Sequence, residues 1–269
     1  MSADKRTWLI TGAASGLGRE LATQLARRGE RLILWDRDAV RLERTVSLLG
    51  PSVVHNAVVD VVNAGETRDA ADRAMDAASR ITRVIHCAGV LRVGPALSMA
   101  ATDYRTMMEV NFLGTVNVAR ALSQMLIENG KPHDRSQLVL LASVAGLRGI
   151  PTMAAYSASK HAVLGFAQAL HEELAGEPID VRVVCPPPVD TPMVRNLAEL
   201  PAVYRLSPPQ PVDKIARALL RELDRGHGFM VLLDNSTKLL WQMQRALPDS
   251  VQWALRSLVR SSSPPRGRG

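Results

Sequence analysis

Thr7-Trp8-Leu9-Ile10-Thr11-Gly12-Ala13-Ala14-Ser15-Gly16-Leu17-Gly18 joins a short apolar run to a glycine-rich turn, and a helix-compatible stretch over residues 19–28 follows. Strand, turn and helix in that order bring backbone N–H groups and the positive end of a helix to one point, where a pyrophosphate can sit. A second apolar run over residues 31–35 ends at Asp36, eighteen positions after Gly18. A carboxylate at about that spacing accepts hydrogen bonds from an adenosine ribose and repels a 2'-phosphate. Asp36 therefore favours NAD. Arg37 beside it would meet a 2'-phosphate if its side chain turned inward, which keeps NADP open.

Beyond this unit, apolar runs and amphipathic stretches alternate to the end of the chain. Strands are expected over 53–59, from Val84, over 137–142, over 180–184 and over 229–233. Helices are expected over 63–78, 107–125, from Tyr156 to about residue 174, and over 212–223. The pattern predicts an α/β fold: a doubly wound parallel sheet of about seven strands, Rossmann-type, with helices on both faces. Ligands bind such sheets at the carboxyl edge. Asp60 and Val61 close the third strand, where a polar residue can reach an adenine, and Ser143 ends the fifth. Asn111 lies inside an apolar helix and reads as a kink or a water site. Three prolines, 186–188, stop the sixth strand, and residues 195–210 read as an irregular cover over a site. The expected division is residues 1–235 as a dinucleotide-binding and catalytic domain, 236–260 as an amphipathic helical extension, and 261–269 as a disordered tail.

Tyr156-Ser157-Ala158-Ser159-Lys160 sets a phenol and an amine one helical turn apart on one face. Free tyrosine titrates near about 10, and bringing it to about 7 takes roughly 4 kcal/mol of differential stabilisation. A lysine cation, a cofactor's positive ring and a hydroxyl donor would share that. The pair taken alone also reads as an ordinary half-exposed helix pair.

Composition narrows the classes. With 46% hydrophobic and 22% charged residues the chain is globular. Cys87 and Cys185 provide neither a disulfide framework nor a metal cluster, and read as buried small hydrophobes in a reducing compartment. His86 reads as a strand-end residue with no second metal ligand near it. The net charge of +7 is spread thinly apart from Arg256, Arg260, Arg266 and Arg268. No zinc-finger or aromatic-basic pattern accompanies it, so nucleic acid is not expected as a partner. The first residues are polar, and no run of eighteen apolar residues is present. The expected location is cytoplasmic, with membrane association left to the tail.

The glycine loop, Asp60, Asn111, Ser143, Tyr156 and Lys160, in this order and at these distances, closely resemble the short-chain dehydrogenase/reductase family over about residues 5–235. The T-G-x-x-x-G-x-G loop, a serine thirteen residues before the tyrosine, and Y-x-x-x-K are independent coincidences. The resemblance implies an oxidoreductase that moves a hydride between a nicotinamide and an alcohol or ketone, as a homodimer or homotetramer. It implies Tyr156 as general acid/base and Ser143 as donor to the substrate oxygen. Lys160 would lower the tyrosine pKa and hold the nicotinamide ribose, and Asn111 would keep a proton-relaying water. Gly12, Ser15, Gly16, Leu17 and Gly18 would line the pyrophosphate, Asp36 and Arg37 the adenosine ribose, and Asp60 and Val61 the adenine. Ala88 and Gly89 permit close cofactor approach, and Val189 and Thr191 stand on the carboxamide side. Two departures are visible. His86-Cys87 replace the family's asparagines, and Pro187 stands where a glycine is usual, removing an N–H and any positive φ.

The tail carries Leu239, Leu240, Trp241, Met243, Leu247, Val251, Trp253, Leu255, Leu258 and Val259 among arginines, with Pro248 between two short amphipathic helices. Packing, a lid, and peripheral membrane contact compete for it. With Met193, Leu197, Leu200 and Val203 it points to a hydrophobic, lipid-like or steroid-like alcohol or ketone. The competing readings are an NADP-dependent carbonyl reductase and a non-catalytic dinucleotide-binding regulatory protein.

Overall fold

The computed structural model describes residues 6–78, 80–226 and 228–247. In chain order its strands are β1 (Thr7–Thr11), β2 (Arg31–Asp36), β3 (Val53–Val58), β4 (Ile81–His86), β5 (Ser136–Leu141), β6 (Ile179–Cys185), β7 (Val189–Asp190), β8 (Gln210–Pro211) and β9 (Met230–Leu232). Its helices are α1 (Gly16–Arg27), α2 (Ala39–Leu49), α3 (Ala64–Ala77), α4 (Ala101–Met108), α5 (Gly114–Asn129), α6 (Ala154–Glu173), α7 (Pro192–Arg195), α8 (Val203–Leu206), α9 (Val212–Arg225) and α10 (Asn235–Ala246).

Seven strands form one parallel sheet in the order β3-β2-β1-β4-β5-β6-β9. The direction of winding reverses between β1 and β4, which opens a crevice at the carboxyl ends of those two strands. Alternate residues of each strand feed two separate cores. Leu9, Ile33, Val84, Leu138 and Val183 meet residues of α3, α5 and α6 on one face. Ile10, Leu32, Leu34, Ile85 and Val139 meet α1, α2 and α9 on the other. Burial on both faces is why the central strands β1 and β2 read as apolar runs.

The single long helix expected over 107–125 is instead α4 and α5 joined by a π-turn over Glu109–Leu113. The helix α2 has no counterpart among the expected elements. The irregular cover contains α7 and α8, and its two ends are tied together by the parallel pair β7 and β8, with the Gln210 N–H donating to the Pro188 carbonyl at 2.8 Å. In the tail, α10 packs Trp241 against the core. The second tail helix and the terminal stretch, residues 248–269, lie outside the described residues.

At the end of α5, Gly130 is required by a close approach. Its φ is −73°, yet a Cβ there would lie 2.0 Å from the Pro178 carbonyl oxygen, which also accepts from the Ser136 N–H at 3.0 Å. Gly130→Ala should therefore cost about 1–3 kcal/mol of stability. Gly176→Ala, where a Cβ meets nothing within 4 Å, should be close to neutral. Urea unfolding midpoints check this, and equal midpoints for the two variants would contradict the packing account.

Candidate active site

The crevice between β1 and β4 opens into one cleft of about 1590 Å³. That exceeds the roughly 300–1,000 Å³ of a typical small-ligand pocket, so a dinucleotide and a substrate fit together. All the residues expected in the site line it except Asn111. Asn111 is fully buried behind the wall.

At one end the glycine loop wraps the start of α1. Gly12 and Gly16 adopt φ of 67° and 53°, and a Cβ on Gly18 would lie 2.3 Å from the Gly12 carbonyl oxygen. Ser15 makes no side-chain cap and no acidic residue stands in the first turn of α1, so its N–H groups and positive dipole remain available to a phosphate. Asp36 is fixed by the backbone. Its Oδ2 accepts from the Ala14 N–H and its Oδ1 from the Asp38 N–H, both at 2.9 Å, which leaves lone pairs on each oxygen for a ribose. Arg37 is exposed on the same wall. Asp60 caps its own turn through the Val62 N–H at 3.1 Å. Two residues that sequence reasoning passed over hold this turn. Asn117 donates to the Val61 and Val62 carbonyls, and Gly114 leaves room for Val61, whose Cγ2 would be 2.7 Å from a Cβ. These features form a cradle suited to an adenine dinucleotide.

His86 and Thr11 join the two central strands beneath the loop. The Thr11 hydroxyl accepts from the Ala88 N–H at 3.2 Å and is hydrogen-bonded to His86 Nδ1 at 2.8 Å. Burial, reinforced by the Lys160 charge, brings the imidazole down to about 3, so it is neutral and structural. Burial pushes the Cys87 thiol up to about 12, which leaves it unreactive. Among the described residues no His, Cys, Asp and Glu are grouped as a metal site.

The other end gathers Ser143, Tyr156 and Lys160. Ser143 follows β5, and α6 presents the tyrosine and lysine one turn apart. Ser143 Oγ accepts from the Ala145 N–H at 3.1 Å, and its hydroxyl beside the phenol favours the ionised form. The Lys160 amine is buried, donates to the Leu141 carbonyl at 2.8 Å, and stands 5.9 Å from the Tyr156 ring centroid. Asn111 braces both groups. Its amide grips the Val90 backbone, accepting from N–H at 2.7 Å and donating to C=O at 3.0 Å, and also donates to Ser159 Oγ at 3.0 Å. Ser159 in turn donates to the Tyr156 carbonyl at 2.8 Å. The Asn111 carbonyl accepts from Thr115 Oγ1 at 2.7 Å. Its side chain therefore serves the protein itself, through Ser159, a residue that nothing in the sequence singled out.

Burial dominates the electrostatics of the phenol. Burial pushes Tyr156 well above the ordinary tyrosine range, Ser143 partly opposes this, and Tyr204 and Cys185 add to it. Burial also lowers Lys160 to about 8, because an ammonium removed from water is costly. The phenol is thus a held proton in the chain by itself.

Pro187 lines the cleft without disturbing it. Among the described residues only Thr152 combines a side chain with positive φ, so no left-handed turn is needed at the proline. Val189 and Thr191 remain on the cleft wall. Over the substrate end lie Met193, Leu200, Val203 and Tyr204 from the cover, with Ser236 and Thr237 from the start of α10.

A family model described as short chain dehydrogenase matches residues 6–201. The 1-deoxy-11-beta-hydroxypentalenate dehydrogenase of Streptomyces avermitilis is 36% identical over 195 residues, 71% of each chain. A short-chain dehydrogenase from Burkholderia cenocepacia, solved in complex with NADP, is 30% identical with a TM-score of 0.80, covering 98% of this chain and 100% of that one. One from Burkholderia phymatum, in complex with NAD, is 26% identical with a TM-score of 0.80, covering 91% and 95%. The chain belongs to the short-chain dehydrogenase/reductase family of NAD- or NADP-using oxidoreductases.

Proposed function

We propose that the protein is an NAD-linked dehydrogenase and reductase of secondary alcohols and ketones with a largely apolar skeleton. The observation that carries this reading is the convergence of Ser143, Tyr156 and Lys160 at the closed end of a cleft whose opposite end is a dinucleotide cradle. The apolar cover and the Val90, Leu91 and Met153 wall support a hydrophobic substrate. A relative that acts as a hydroxypentalenate dehydrogenase supports alcohol oxidation.

A bound nicotinamide supplies or accepts the hydride. In reduction, Tyr156 Oη gives its proton to the carbonyl oxygen while Ser143 donates a hydrogen bond to that same oxygen. In oxidation, the phenolate takes the hydroxyl proton as the carbinol carbon loses its hydride and becomes a carbonyl. Lys160 holds the nicotinamide ribose and contributes positive charge beneath the phenol. Because burial keeps Tyr156 protonated, oxidation needs the further positive charge of the oxidised nicotinamide ring. Gly12, Ser15, Gly16, Leu17 and Gly18 hold the pyrophosphate, with Ala88 and Gly89 alongside. Asp60 and Val61 take the adenine, and Val189 and Thr191 the carboxamide.

Asp36 carries the choice of NAD. An NADP-linked reading draws on Arg37 and Arg41, both exposed on the cleft wall, although Arg41 lies 3.5 Å from the Asp38 carboxylate. A cytoplasmic homodimer or homotetramer completes the proposal. Leu239 and Met243 on α10 and Leu247 just after it stand exposed four residues apart and support peripheral membrane contact; no described helix is long and apolar enough to cross a membrane.

Two measurements test this reading. Across a panel of apolar secondary alcohols, Tyr156→Phe should lower kcat by about 10²–10⁴-fold while NADH affinity stays within a few-fold of wild type; unchanged turnover would remove the phenol from the chemistry. In fluorescence titrations the wild type should bind NADH about tenfold or more tightly than NADPH, and Asp36→Asn should narrow the gap. A wild-type preference for NADPH would overturn the role given to Asp36.

A further inference from the structure

The catalytic end of the cleft carries a half-buried cation that the proton chemistry does not use. Arg148 lies on the loop from β5 to α6, five residues after Ser143, and lines the cleft half-buried. Its loop is pinned on both sides. A Cβ on Gly146 would lie 2.7 Å from the Lys160 carbonyl oxygen, and the Ile150 N–H donates to Ser157 Oγ at 3.2 Å. The Thr152 carbonyl accepts from the Gly94 N–H at 2.8 Å, which ties the loop to the facing wall. Thr152 makes that contact at a φ of 65°, a costly conformation for a β-branched residue.

Burial lowers the pKa of three arginines, Arg83, Arg148 and Arg182. Two of them are matched. Arg83 meets Asp134 at 3.3 Å and the carbonyls of Thr82 and Arg135 at 2.9 Å, and Arg182 donates to the carbonyls of Gly228 and Glu222. No carboxylate or carbonyl meets Arg148 among the described residues, and desolvation is the sole cause of its shift. The cover contributes Glu199 and Arg205 to the same end of the cleft, both exposed and of opposite sign, so the cation of Arg148 stays uncompensated. A guanidinium kept partly from water without a partner costs free energy, and its planar fork matches a carboxylate.

We propose that Arg148 receives a carboxylate on an otherwise apolar alcohol or ketone, so that the cleft selects amphipathic hydroxy acids or oxo acids over their neutral counterparts. The inference deepens the function proposed above and rests on it for the reacting group. Arg148 acts here as a specificity residue, and the proton transfer remains with Tyr156.

The test compares wild type and Arg148→Gln on matched pairs of secondary hydroxy fatty acids and their methyl esters, with KM and kcat measured separately. The wild type should show a KM for the acid about ten- to a hundred-fold below that for the ester, with similar kcat. In Arg148→Gln that preference should disappear through KM, with NADH affinity unchanged. Equal KM for acid and ester in the wild type, or a preference that survives in Arg148→Gln, would overturn the proposal. Binding to the enzyme–NADH complex supplies an arm that needs no turnover. Decanoate should stabilise wild type against heating more than decanol does, and this difference should vanish in Arg148→Gln. If no alcohol is oxidised, the proposed function fails while the decanoate comparison still decides the role of Arg148.

Discussion

Removing a phenol and an ammonium from water, side by side, is the constraint around which the catalytic end is built. Lys160 is 5% exposed, and its ammonium donates to the carbonyl that ends β5. Burial raises the pKa of one group and lowers that of the other, and both shifts move the pair toward its neutral state. Such an arrangement persists only where surrounding polar groups are satisfied. The Leu141 carbonyl meets the ammonium, while Asn111, Ser159 and the Val90 backbone satisfy one another beside it and join three segments distant in sequence: the β4–α4 loop, the π-turn and α6.

The sheet makes this convergence attainable. Parallel strands bring Thr11, His86, Leu141 and Cys185 to one edge, and the reversal of winding between β1 and β4 leaves the gap in which the cleft opens. Glycine serves approach as much as turning. Gly89 lets Asn111 and Lys160 come together, since a Cβ there would lie 3.1 Å from Asn111 Oδ1 and 3.6 Å from Lys160 Nζ. The π-turn shifts Asn111 inward, where an uninterrupted helix would continue the same face; insertions of this kind recur at functional sites.

Much of this was legible in the sequence, for identifiable reasons. The central strands β1 and β2 announce themselves because burial on both faces demands apolar runs, and the carboxyl-edge residues follow from where the strands stop. The kink at Asn111 was legible, but its form as a π-turn was not, because the partner that holds it is tertiary: Asn111 reaches Val90, 21 residues away. Spacing placed Tyr156 and Lys160 together but could not report their burial, which is the largest cause of both pKa shifts. Arg148 was illegible for a similar reason. Leu-Arg-Gly reads as a solvated turn, and only packing on α6 and the facing wall brings it into the cleft. Pro187 leaves the cleft wall one N–H short, in a backbone that runs there without a left-handed residue.

The held proton on Tyr156 is the central claim, and tyrosinate absorbance tests it directly, because the chain has only three tyrosines. Titrating nucleotide-free wild type against Tyr156→Phe isolates the buried phenol by difference. The account predicts that this phenol stays protonated through tyrosine's ordinary pKa of about 10 and ionises at lower pH once NAD is bound. A phenol that ionises near neutrality without any nucleotide would contradict it, by showing that the chain's own lysine outweighs burial.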